Sequence, residues 1–394
     1  MNVKSLGIDS PINKEKLAIV VVGYNKVDGL KRLLSALNDS YYEIQEVPLV
    51  ISIDASANEN VYNLVRAFKW GHGTKYLNIE ENRLGLKNHI FQCASLTKYF
   101  KGVIILEDDL FVSPFFYHYS TSVLNKYGNE EKVAGIALYK NEFEGFSGVP
   151  LQHLHNGYDV FAWQAVCSWG EIWNERMWNE FSEWLAHWNE NFEVIDMPNR
   201  IKGWTRAWSK YVYAYIIDKD KYYVYPHDPV TTNFNDSGGE HGGGDKSIFQ
   251  VSLLQGKKNY QLGAFTELEK YDVYSYNKNI PLWLGINPDD IDIDFYGLKE
   301  QYNGHYILSS EKLPFETIKG FSLSMRPWEL NLKYGIRGND IILYYRKNNK
   351  PIQHEKRAFL KGLAAYYLRN FNFSLLKVYT SERIMAKIKR LIVR

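Results

Sequence analysis

Four short strand-like runs in the first 110 residues, each followed by polar side chains, constrain this chain more than any other feature. Leu17–Gly23 (LAIVVVG) is continuous and β-branched, the pattern of a strand buried on both faces. Leu49–Ile53 and Val103–Leu106 are further strands of this kind, and Thr74–Ile79 reads as a short strand between them. Helical spacing fills the intervals: Leu30, Leu33, Leu34 and Leu37 within Asp28–Leu37, Val61, Leu64, Val65 and Phe68 within Asn58–Trp70, and a third amphipathic stretch over Leu86–Phe100. Strands alternating with helices predict βαβ units, and so an α/β fold with a mostly parallel sheet. Ligands of such sheets bind beyond the carboxyl ends of the strands. Tyr24-Asn25, Asp54, Asn82-Arg83 and Glu107-Asp108-Asp109 follow the four strands in turn.

Further along, the spacing predicts a strand at Val133–Leu138, a tryptophan-rich helix over Trp169–Trp184, a helix over Trp204–Ile217 and a strand at Tyr222–Tyr225. Thr231–Asp245 holds five glycines and no apolar run, as expected of a loop. The expected division is a main domain over 1–285, in halves of about 17–110 and 111–285, and an accessory region over 286–394 that includes the basic tail.

Several function classes are disfavoured. No G-x-G-x-x-G follows the first strand, and the glycines at 238–244 lack the GK[ST] ending of a P-loop. Neither Cys93 nor Cys167 lies in a zinc or disulfide spacing, which fits a reducing compartment. The N-terminus MNVKSLGIDSPINKEK has no apolar core of a secretion signal, and no run of about 18 apolar residues occurs. A cytoplasmic protein is expected. The net charge of +2 conceals a basic tail: Lys356 to Arg394 holds ten Lys/Arg against one Glu, or +9, leaving −7 on the rest. An acidic body is not a nucleic-acid-binding one. The tail, with apolar residues at helical spacing over 357–394, reads as a basic amphipathic segment suited to an anionic membrane surface or to the acidic body itself.

Three adjacent carboxylates at a strand end repel one another unless solvated or paired with a cation. A solvated acidic loop would carry the same triplet, but the buried strand before it and the matching strand-end position of Asp54 favour a site for Mn²⁺ or Mg²⁺. Such hard ions take one or two carboxylates and complete their shell with water and phosphate oxygens.

LAIVVVGYNK, the strand-end Asp54, ENRLGLKNHI and VIILEDDLFVSPFFYHY together resemble the GT-A glycosyltransferases. The nearest likeness is to the animal N-acetylglucosaminyltransferase that starts complex N-glycans and to bacterial family-2-like transferases of capsule and exopolysaccharide clusters. SWGEIWNERMWNEF and YPHDPVTTNFNDSGGEHGG extend it over about residues 17–250. The resemblance implies a GT-A fold and a metal-dependent hexosyl- or N-acetylhexosaminyltransferase. Its donor would be a nucleotide-diphosphate sugar, a UDP-sugar foremost, and its acceptor a saccharide, including a lipid-linked one. It places Tyr24 and Asn25 against the nucleotide and Asp54 on uracil or ribose. Arg83 and Lys87 would lie near the diphosphate, Glu107 and Asp108 on ribose and donor sugar, and Asp109 on the metal. His241 would reach metal or diphosphate when its loop closes.

An inverting transferase also needs a carboxylate to deprotonate the acceptor hydroxyl. Glu171 is one candidate and Asp196 or Glu193 the substitutes. Relatives carry a Trp-Asp pair where this chain has Trp208-Ser209, which leaves both the base and the stereochemistry open. A carbohydrate-binding protein that has lost its base, or a sugar-nucleotidyltransferase, is the alternative. The 11 Trp, 30 Tyr and 20 Phe suit sugar stacking as well as core packing. Trp163, Trp169, Trp173, Trp178, Trp184 and Trp188 divide between core and acceptor platform.

Overall fold

The computed structural model describes residues 14–145, 147–234, 236, 249–299, 301–347 and 372–392. They form two compact units. The larger holds the described residues up to Glu142 and His153–Asn279; the smaller holds Phe143–Gln152 and the described residues from Ile280 on.

The larger unit runs β1 (Leu17–Gly23), α1 (Val27–Asn38), β2 (Leu49–Ile53), α2 (Glu59–Ala67), β3 (Lys75–Ile79), α3 (Leu86–Ala94), β4 (Gly102–Glu107), β5 (Leu110–Val112), α4 (Phe116–Tyr127), β6 (Val133–Ala137), β7 (Val160–Trp163), β8 (Glu171–Trp173), α5 (Glu175–His187), α6 (Asn199–Lys202), α7 (Ser209–Asp218), β9 (Tyr222–Pro226), β10 (Thr231–Asn233) and β11 (Lys270–Tyr271). Nine strands make one sheet in the order β11-β7-β9-β6-β8-β4-β1-β2-β3. Pairs β1–β2, β2–β3, β1–β4, β6–β9 and β7–β11 are parallel, while β8 is antiparallel to β4 and β6, and β7 to β9. This is the mixed α/β architecture with a mostly parallel sheet that the alternating pattern predicts. Helix α3 packs on β1 and β4, α2 on β3, and α4 and α5 on β6.

Two details of this sheet position the site. The chain leaves β1 towards β2 and β3, then returns to β4 on the other side of β1. That reversal opens a crevice at the carboxyl ends of β1 and β4, where α/β sheets bind ligands. The register also levels the strand ends: Gly23 pairs with Ile53, Ile53 with Ile79, and Val22 with Glu107. The residues after β1, β2 and β3 therefore start from one rung, and those after β4 one rung earlier.

Two expected helices are corrected. Trp169–Trp184 is not one helix: Glu171–Trp173 is strand β8, inserted between β4 and β6, and α5 begins only at Glu175. The Asn174 side chain accepts a hydrogen bond from the Met177 amide at 3.0 Å and caps α5 there. Three residues are too few to display strand alternation beside a tryptophan-rich helix. Trp204–Ile217 likewise shortens to α7, because Gly203 ends α6 and 204–207 run irregularly.

The smaller unit contains α8 (Ile280–Leu284), β12 (Ile291–Asp294), β13 (Tyr306–Ser309), β14 (Glu316–Phe321), α9 (Glu329–Lys333), β15 (Ile341–Tyr345) and α10 (Phe373–Ile392). Its sheet has the order β12-β13-β15-β14. Tyr302, Ile307, Leu313 and Tyr344 form a core cluster. Asp292 and Asp294, in the DIDFYG stretch, are buried and serve this fold: Asp294 accepts from the Leu298 amide and the Tyr302 hydroxyl, and Asp292 accepts from the Gly304 amide and pairs with Lys299. Among the described residues no helix is long and apolar enough to cross a membrane.

Candidate functional site

The aligned strand ends open into a cleft of about 710 Å³, within the size range of small-molecule sites. Tyr24, Asn25, Asp54, Arg83, Lys87, Glu107, Asp108 and Asp109 all line it. Asp54 is buried, and its carboxylate accepts from the amides of Ala55 (2.9 Å), Leu84 (2.8 Å) and Gly85 (3.0 Å). Gly85 has φ +76° and precedes the first turn of α3, a backbone conformation that favours glycine. Asp54 therefore fixes the loop that carries Arg83. Asp54→Ala is expected to strip three part-buried amides of their acceptor and lower stability by about 1–3 kcal/mol, read by chemical denaturation, and to weaken any ligand that Arg83 touches.

The acidic triplet is built around Lys26, whose role the sequence pattern does not reveal. The Lys26 Nζ lies 2.9 Å from Asp109 Oδ2 and 3.5 Å from Asp108 Oδ1. Burial opposes the ammonium charge, yet Asp109 and Asp108 outweigh it and hold Lys26 above its usual value. Asp108 Oδ2 also accepts from the Tyr24 amide at 3.1 Å, tying the end of β1 to the end of β4. Burial pushes the Asp108 carboxyl up to about 6 in spite of Lys26, and Asp109 adds to the rise. Asp109 Oδ1 is buried and has no hydrogen-bond partner among the described residues.

That oxygen bears on whether a divalent cation fits. Among the described residues no group of three or more His, Cys, Asp or Glu is arranged to hold an ion. The protein would contribute Asp109 and a neighbour, which is the mode of Mg²⁺-like ions that complete their shell with phosphate and water. An unsatisfied carboxylate oxygen on a residue that lines a polar cleft suits that mode.

The other walls are cationic and aromatic. Arg83 lies over the Tyr24 ring at 4.6 Å and Lys87 over Tyr211 at 4.4 Å. Arg206 comes from the irregular 204–207 stretch, and Trp169, tilted against Phe249 at 4.7 Å, completes the lining. Arg206 and Phe249 carry no sequence signal, because irregular backbone rather than periodicity brings them in.

The base candidates are not gathered here. Glu171 lies on β8, 1% exposed, and accepts from the Tyr223 hydroxyl at 3.0 Å. Burial holds its carboxyl well above the usual range, the Tyr223 hydrogen bond opposing and Glu107 adding to the rise. Asp196 is exposed and accepts from the Tyr274 hydroxyl at 2.8 Å, and Glu193 stands 3.8 Å from Lys202. None of the three is among the described cleft-lining residues. His241 lies outside the described residues.

No family model matches the chain, and no curated protein matches it. Solved structures do. S. aureus TarS 1-349 aligns at 12% identity and a TM-score of 0.38, covering 55% of this chain and 59% of TarS 1-349. The mannosyltransferase PcManGT from Pyrobaculum calidifontis, in complex with GDP-Man and Mn²⁺, aligns at 13% identity and 0.34, covering 56% and 59%. GalNAc-T7 with UDP, GalNAc and Mn²⁺ aligns at 12% and 0.39, covering 54% and 41%. The chain thus spans about three-fifths or less of these structures' length. At such low similarity the functional reading rests on the cleft itself.

Proposed function

We propose that this chain is a metal-dependent glycosyltransferase that moves a sugar from a nucleotide-diphosphate donor, a UDP-sugar foremost, to a saccharide acceptor. The observation that carries the reading is Asp109 Oδ1, buried and without a hydrogen-bond partner among the described residues, beside Lys26 in a cleft that also holds Arg83, Lys87 and Arg206. A carboxylate oxygen without a hydrogen-bond partner and several positive charges suit a diphosphate. The flat rings of Tyr24, Tyr211 and Trp169 suit a base or a sugar.

In this reading Tyr24 and Asn25 flank the nucleotide, and Asp54 orders the loop that presents Arg83. Arg83 and Lys87 hold the diphosphate, with Glu107 and Asp108 towards ribose and donor sugar. Asp109 would hold Mn²⁺ or Mg²⁺, with His241 its proposed second contact. The ion supplies Lewis-acid neutralisation of the leaving diphosphate when bound. Lys26 stands ready to exchange its carboxylate partners for a phosphate. Catalysis is assigned to residues 1–285, within which the whole cleft lies, and the accessory part to 286–394.

We place the enzyme in bacterial surface-polysaccharide assembly, on the cytoplasmic side, with an acceptor that includes lipid-linked saccharides. The tail offers a membrane contact: on α10, Val378, Ile384, Met385 and Ile388 are exposed. The 357–371 portion lies outside the described residues.

The test is donor turnover. The full chain is incubated with UDP- and GDP-sugars, with and without Mn²⁺, and release of nucleoside diphosphate is followed. The expected result is slow, metal-dependent release from one donor, accelerated by a saccharide acceptor. No release from any donor contradicts the proposal.

A further inference from the structure

The tryptophans of this chain divide into two populations. Trp163, Trp173 and Trp208 are at most 4% exposed and belong to the core. Trp184, on the last turn of α5, and Trp188, the residue after α5 ends, are only half-buried. Their rings stack on one another at 4.5 Å and 23°. The Trp184 Nε1 donates to Asp218 Oδ2 at 2.9 Å, and its ring packs against Tyr215 of α7 at 5.5 Å. These contacts fix the pair before any ligand arrives, so little rotamer freedom remains to be lost on binding.

The pair walls a surface cavity of about 540 Å³, separate from the cleft in every lining residue. Tyr215, Glu183, His187 and Lys219 share the wall. Glu183 and Lys219 are exposed, one an acceptor of hydrogen bonds and the other a donor. Flat apolar rings bordered by such groups match a sugar ring, whose C–H face is apolar and whose rim is hydroxyl.

The surface also connects with the cleft. Trp188 meets Phe192 edge-on at 4.7 Å, and Phe192 meets Tyr211 edge-on at 5.5 Å. Tyr211 lines the cleft. On α7, Tyr211 and Tyr215 are one turn apart, about 6 Å along the axis. The same helix thus serves the cleft near its first turn and the tryptophan surface further on.

We propose that the Trp184–Trp188 surface is a saccharide-binding subsite that holds the distal sugars of an extended acceptor whose reacting end lies in the cleft. The link to an acceptor rests on the glycosyltransferase reading, whereas saccharide binding at the tryptophans does not. The occupant would be an oligo- or polysaccharide rather than a monosaccharide, because one ring cannot reach from Trp188 past Phe192 to Tyr211.

The test titrates the full chain with cellohexaose, chitohexaose and maltohexaose, following tryptophan fluorescence and calorimetric heat. At least one hexasaccharide is expected to bind. Trp188→Ala is expected to weaken that binding about tenfold, the scale of one good aromatic contact. Trp184→Phe, which keeps the α5–α7 packing but loses the Asp218 hydrogen bond, is expected to weaken it less. Both variants should keep the wild-type affinity for UDP or GDP, measured in parallel. Hexasaccharide binding without nucleotide binding would leave the subsite standing and remove the transferase reading. Failure of all three hexasaccharides to bind wild type, or binding unchanged in both variants, would overturn the subsite.

Discussion

Asp109→Asn is expected to reduce sugar transfer about a thousandfold, the scale of losing one preorganised electrostatic contact to the leaving group. The substitution keeps the size of the side chain, and Lys26 keeps Asp108 at 3.5 Å as an ionic partner. The loss should therefore appear in kcat and in the metal concentration required, with little change in the denaturation midpoint. Asp109 is singled out from its neighbours by Oδ1, which is buried and takes no hydrogen bond from the described residues, whereas Asp108 Oδ2 is already bound to the Tyr24 amide. A variant retaining more than a tenth of the wild-type rate at saturating Mn²⁺ would remove Asp109 from the metal site.

The second large effect concerns stability. Glu171 is buried on β8 and its carboxyl is held well above its ordinary value of 4.5 by burial. A carboxyl raised in this way stays protonated in the fold while the unfolded chain ionises it. It therefore subtracts from stability once the pH exceeds the ordinary carboxylate range. The deficit grows by about 1.4 kcal/mol per pH unit until the folded value is reached. Glutamine carries no such deficit and can still accept from the Tyr223 hydroxyl. Glu171→Gln is thus expected to be more stable than wild type at pH 7.5, with the gain shrinking as the pH falls towards 4.5. Chemical denaturation at the two pH values checks it. A variant no more stable at pH 7.5 than at pH 4.5, relative to wild type, contradicts the burial argument. The same variant bears on catalysis: sugar transfer at the wild-type rate by Glu171→Gln would remove Glu171 from the base candidates.

The sequence was most legible where periodicity is strong. β1, β2 and β4 are continuous apolar runs buried at nearly every position, and α1 turns Leu30, Leu33, Leu34 and Leu37 inward. Because the sheet register levels the ends of these strands, the polar residues just after them meet in one cleft. Tyr24, Asn25, Asp54, Glu107, Asp108 and Asp109 arrive there for that reason, joined by Arg83 from the loop after β3 and Lys87 from α3. The reading failed where three-dimensional pairing overrides local pattern. β8 is too short to alternate and is stabilised by neighbours on both sides, so Glu171 looks like a first-turn residue and is a core one. Lys26 follows Tyr24-Asn25 directly, yet nothing in its spacing tells that it closes on Asp109. Arg206 enters from irregular backbone, and the Trp184–Trp188 surface is distinguished from core tryptophans only by exposure.

The most direct test of the account is calorimetric titration of UDP and GDP into the full chain, with and without Mn²⁺, repeated on Asp109→Asn. The account predicts manganese-dependent binding of one nucleotide that the substitution abolishes. Binding of neither nucleotide with or without the metal, or binding indifferent to both Mn²⁺ and Asp109, would contradict it.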